Sequence, residues 1–79
     1  MPAYFFHVTD AAGSSVDEEG LELRDLAAAR RCALDSAGDL VAEAVKSGER
    51  DYEGRIDVAD DRGATVLTIA FACPVRIAP

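Results

Sequence analysis

The chain has 79 residues, with eight Lys and Arg against fifteen Asp and Glu, a net charge of −7 at neutral pH. That excess disfavours nucleic acid as a direct partner, because affinity for a polyanion rests on neutralising phosphates, and no run reaches the ~18 consecutive apolar residues of a membrane span. Apolar residues form 49% of the chain, yet alanine supplies many of them and only three Phe and two Tyr are aromatic, so the expected core is thin.

Tyr4-Phe5-Phe6-His7-Val8-Thr9 joins aromatic and β-branched residues and reads as a first strand, with Tyr4, Phe6 and Val8 on one face and Phe5, His7 and Thr9 on the other. A turn at residues 10–13 follows and returns into a short strand near residues 14–17. The same phrase, V-x-D-x-x-G-small-hydroxyl-V, occurs at residues 8–16 and again at 58–66. Asp at the start of such a turn bonds the backbone ahead of it, and Gly three residues on closes a hairpin. Asp17-Glu18-Glu19-Gly20 then breaks the run as a bulge or a second turn, and Leu21-Glu22-Leu23 leads to a helix.

Asp25 is the expected N-cap. Leu26, Ala29, Ala33, Ala37, Leu40, Val41 and Ala44 recur at helical spacing as one apolar stripe, Lys46 suits the last turn and Gly48 the stop, giving a helix over residues 26–47. Gly38 in its middle marks a kink or a close contact with the sheet. The second hairpin places Ile56 and Val58 inward, turns at residues 60–63, and ends in a strand over residues 66–71 with Leu67, Ile69 and Phe71 facing the helix. Cys73-Pro74-Val75-Arg76-Ile77 is expected to leave the sheet there, since proline cannot donate to a central ladder.

The expected architecture is therefore α+β: two antiparallel β-hairpins flanking one long helix (β-β-α-β-β), a four-stranded sheet with the helix on one face, and residues 1–79 as a single domain. Whether both hairpins share one continuous sheet is left open by the sequence. Met1-Pro2-Ala3 shows no basic or apolar leader, and the two cysteines, Cys32 and Cys73, form neither a metal knuckle nor a redox pair. A cytoplasmic protein with reduced thiols is expected.

No catalytic constellation is evident. His7 has no nucleophile motif beside it and no second His with which to hold a metal. The acidic run at residues 17–19 with Glu22 departs from the spacing of a calcium loop and reads as a solvated turn. The glycines make no phosphate loop. No cofactor and no metal is expected. The open sheet face, with Phe5, His7, Arg55 and Asp57, is the candidate interaction face, joined by Thr9, Val66, Thr68 and Ala70. Arg30 lies within the angular range of the apolar stripe and is the candidate partner of Glu22 in a structural ion pair.

Tyr4-Phe5-Phe6-His7-Val8, Asp17-Glu18-Glu19-Gly20-Leu21-Glu22-Leu23, Asp25-Leu26-Ala27-Ala28-Ala29-Arg30 and Gly54-Arg55-Ile56-Asp57-Val58 together resemble an uncharacterised family of short bacterial proteins, frequent in alphaproteobacteria and grouped as a domain of unknown function. The resemblance covers nearly the whole chain and implies a stand-alone cytosolic domain, with no activity or site residue to carry over. A more remote, architectural similarity is to HicB-like antitoxins, but no DNA-binding segment follows here. The leading expectation is a small non-enzymatic protein-interaction module, a homodimer whose acidic surface meets a basic protein partner. Two alternatives stand beside it: a small ligand-binding protein or enzyme using the His7 and Arg55 face, and an antitoxin-type domain that binds a basic toxin.

Overall fold

The computed structural model describes residues 1–49 and 51–74. In chain order the elements are β1 (Ala3–Asp10), β2 (Gly13–Ser15), β3 (Leu21–Glu22), α1 (Leu26–Lys46), β4 (Asp51–Ala59) and β5 (Thr65–Pro74). Both hairpins enter one antiparallel sheet in the order β2-β1-β4-β5, and β3 pairs with the start of β1. The fourfold strand count of the sequence reading thus becomes five, because Leu21 and Glu22 find Tyr4 and Ala3 across a second short ladder.

The turns follow from their Asp and Gly residues. Asp10 Oδ1 accepts the Ala12 N–H at 2.9 Å, and Asp60 Oδ1 accepts those of Arg62 and Ala64 at 2.9 and 3.0 Å. Asp25 caps α1 by accepting the Ala28 N–H at 2.9 Å. At the other end Gly48, at φ +85°, lets its own N–H reach Val45 O and the Glu49 N–H reach Ala44 O, both at 3.0 Å. These two bonds are those of a Schellman stop.

Alternation sorts the sheet into two faces as expected. Tyr4, Ile56 and Val58 join Ala29, Ala33 and Ala37 in a buried cluster, with Phe6, Val8, Leu40, Leu67, Ile69 and Phe71 packed around it. The largest fully buried side chains are Ile56 and Val58, each stabilising the fold by about 1.5–3 kcal/mol through burial. The alanines bring α1 close to β4 and β5, the two strands it rests on.

Four local expectations are corrected. Leu26 is 42% exposed, because Leu23, just before the cap, packs against the cluster in its place. Gly38 makes no close approach to the sheet: a Cβ there would meet nothing within 4 Å. Pro74 does not leave the sheet but pairs with Asp51 at the end of β5, which is possible because β5 is an edge strand; Val75, Arg76 and Ile77 lie outside the described residues. Arg30 and Glu22 are both exposed and form no ion pair among the described residues. The register sets Glu22 opposite Ala3, one residue out of phase with the buried Tyr4, so it belongs to the sheet face away from the helix.

No helix among the described residues is long and apolar enough to cross a membrane.

Candidate functional site

The register of β1, β4 and β5 gathers Phe5, His7, Arg55 and Asp57 on the open face. His7 stands opposite Asp57, Asp57 opposite Thr68, and Thr9 opposite Arg55, a row of polar side chains across three strands. Asp57 is the centre of that row. Its Oδ2 accepts from Arg55 Nε at 3.0 Å and its Oδ1 from the Thr68 hydroxyl at 2.8 Å. The Arg55 guanidinium first, then the Thr68 hydrogen bond, hold its carboxyl below the usual carboxylate range. Both oxygens are therefore occupied within the sheet itself, and Arg55 remains 55% exposed.

His7 is oriented from the other side. Its Nδ1 accepts the Asp17 N–H at 3.1 Å, so the neutral ring carries its proton on Nε2. The Asp17 carboxylate in turn accepts the N–H groups of Phe6, Glu19 and Gly20, each at 3.1 Å. Those bonds, Gly20's first and Phe6's next, hold the Asp17 carboxyl below its usual range. Asp17 thus fills the gap on the β1 edge between β2 and β3. Gly20, at φ +71°, is pressed onto Phe5, where a Cβ would come within 2.7 Å of the ring. The chain's own loop partly covers Phe5, which is more than half-buried.

The sequence reading treated residues 17–19 as a solvated turn and missed this role of Asp17. The signal was present: Asp17-Glu18-Glu19-Gly20 is a third D-x-x-G phrase beside those at residues 10–13 and 60–63. In all three the Asp accepts from the backbone ahead and the Gly takes a positive φ.

Two depressions flank the sheet at the β1–β2 turn end. One, of about 550 Å³, lies beside Arg55 over Thr9, Gly54, Ala70 and Phe71, and His7 is not among its lining residues. The other, of about 390 Å³, lies under the C-terminal end of α1 and is bordered by Asp10, Glu43, Glu49, Asp51 and Glu53. Tyr52 forms part of its wall, donating from its hydroxyl to Asp10 Oδ2 at 3.0 Å. Burial, followed by that carboxylate, pushes the Tyr52 phenol up. Asp10, Glu43 and Glu49 share this concavity with the negative end of the helix dipole, whereas alternation along β4 turns the side chains of Asp51 and Glu53, like those of Arg55 and Asp57, to the open face. Glu43 and Glu49 are neighbours in sequence, and the fold brings Asp10 to them from more than thirty residues away. No group of three or more His, Cys, Asp or Glu among the described residues has metal-holding geometry.

Residues 3–72 match the family described as Domain of unknown function (DUF6894). The chain belongs to the DUF6894 family. No curated protein and no solved structure matches this DUF6894 chain. The family supplies no activity, so the reading of the DUF6894 site rests on its own geometry.

Proposed function

We propose that this DUF6894 chain is a non-enzymatic interaction module of the bacterial cytoplasm that receives a basic segment of a protein partner in its acidic cleft. The observation that carries the reading is the gathering of Asp10, Glu43 and Glu49 around the cavity at the C-terminal end of α1, with Asp51 and Glu53 on the strand that forms its rim. The potential of such a cleft attracts Lys and Arg and speeds encounter with a basic surface. The open-face polar groups argue in the same direction. Asp57, Asp17 and His7 are engaged with neighbours in the fold, which is how structural networks are built. A basic toxin is one partner of this chemistry, and the HicB-like reading is the version of the proposal that names it.

The test is capture from the native cytosol with the tagged chain and with its Glu43→Lys/Glu49→Lys double variant, both at low and high salt. A stoichiometric basic partner lost on raising salt and lost in the double variant is the expected result. A partner retained by the variant, or none at low salt, overturns the cleft as the site.

A further inference from the structure

The two edges of the sheet are unlike. On the β1 side the edge is broken into β2 and β3, three and two residues long, with Asp17 closing the gap between them. Short, interrupted strands of this kind blunt an edge against pairing. On the other side β5 runs for ten residues, TVLTIAFACP, without a single charge. Among the described residues nothing pairs with its outer side.

The helix presents a matching strip. Glu43 and Ser47 line the acidic cleft with Asp10 and Ala12, so that flank of α1 faces β1 and β2. Across the buried Ala33, Ala37 and Ala44 lies the opposite flank, which by helical spacing carries Leu34, Gly38, Val41 and Val45. This flank overhangs β5. Leu34 and Val45 are 42% and 46% exposed, and Gly38 between them has nothing within 4 Å of where a Cβ would sit. A mid-helix glycine costs about 1 kcal/mol against alanine, and no contact among the described residues accounts for it.

We propose that a second copy of this chain docks here, β5 against β5 in antiparallel register about a two-fold axis, with the two α1 flanks packed side by side. The inference rests on the interaction-module reading and names one partner, the chain itself. Sheet and helix agree on the spacing. Paired strands lie about 4.8 Å apart, and α1 rests on β4 and β5 alike, so its axis is displaced about half that spacing inward from β5. Two copies then hold their helix axes about 10 Å apart, at the outer edge of the 8–10 Å range of packed helices. Gly38 permits that approach at the middle of the strip. The strand and the helix are each about 32 Å long, and a seam two layers deep buries roughly 600 Å² per copy, above the ~1,000 Å² total expected of a specific interface. The charge of −7 on each copy stays off the β5 seam, and antiparallel helices oppose their dipoles favourably.

Absolute mass by light scattering and sedimentation, over a concentration series at low and high salt, tests the seam in the wild type, Ala70→Lys and Leu34→Glu/Val45→Glu. Far-UV circular dichroism checks that each variant folds. The wild type is expected at twice 8.4 kDa, with dissociation at least ~10-fold weaker in each variant and association unweakened by salt, since screening relieves the repulsion between copies. A wild-type monomer throughout, or a dimer indifferent to both variants, overturns the proposal. Failure here is separable from failure of the acidic cleft, because basic-partner capture weakens with salt and is read in different variants.

Discussion

The Asp17 N–H donates to His7 Nδ1 at 3.1 Å while the Asp17 carboxylate accepts the N–H of Phe6, the residue beside that histidine. One residue thereby serves β1 from two sides, as a strand partner would. It holds the imidazole on the open face opposite Asp57 and fixes the 17–20 loop against Phe5.

Replacing Asp17 by Ala leaves the N–H groups of Phe6, Glu19 and Gly20 without their acceptor. Charge-assisted bonds of this kind contribute about 1.5–3 kcal/mol, and water recovers part of that at exposed Glu19. A loss of about 2 kcal/mol is expected, read as a lower urea midpoint at unchanged m-value. A change within the scatter of ordinary surface substitutions would remove Asp17 from its structural role.

Acid should weaken the fold through the same groups. Asp17 and Asp57 are held below their ordinary range, so the unfolded chain binds more protons in acid than the folded one. Their contribution is fully present above the ordinary carboxylate value, about 4, and is lost as pH falls through the lower folded values. Urea midpoints taken at about pH 5 and about pH 2.5 should drop steeply in the wild type and less in Asp57→Asn. Equal drops contradict the assignment. At the alkaline end the sign reverses for Tyr52, whose raised phenol stabilises only while protonated. That contribution is lost as pH rises through the folded value, and Tyr52→Phe should abolish the alkaline loss.

Gly20 and Gly38 should respond to alanine in opposite directions. At Gly20 a Cβ collides with the Phe5 ring at a φ of +71°, and a loss of at least ~1 kcal/mol is expected. At Gly38 the site is open and helical, so dilute, monomeric protein should gain about 1 kcal/mol. Thermal or urea unfolding at low concentration reads both. Destabilisation by Gly38→Ala under those conditions would show an intrachain contact at that position.

Ile56→Ala removes one of the two large side chains that are wholly buried. The expected loss is about 2–5 kcal/mol, a large share of the stability of so small a domain. Val66→Ala, at an exposed position beside the β-bulge at Val58 and Ala59, should cost far less. Denaturation of the two variants in parallel separates core burial from surface apolarity.

Much of this architecture is written locally. The D-x-x-G phrases hold their own turns because an Asp carboxylate reaches amides only two to four residues ahead. Asp25 and Gly48 bound α1 for the same short-range reason, and period-two alternation assigned Phe5, His7, Arg55 and Asp57 to one face. Arg30 and Glu22 did not meet, since angular position on a helix says nothing about which strand will lie beneath it. Leu26 and Leu23 exchanged roles for a similar reason: either can close the apolar stripe, and only packing against the sheet selects one.

The sequence by itself determined two hairpins, one capped helix and the sidedness of each strand, because each depends on residues within a few positions of one another. The tertiary structure decided the order β2-β1-β4-β5, the placing of His7 opposite Asp57, the approach of Asp10 to Glu43 and Glu49 under the helix end, and, among the described residues, the unpaired outer side of β5. These depend on contacts between segments tens of residues apart. Hairpin chemistry does not record which strand edges meet, and that choice is made only when the apolar faces close over one common core.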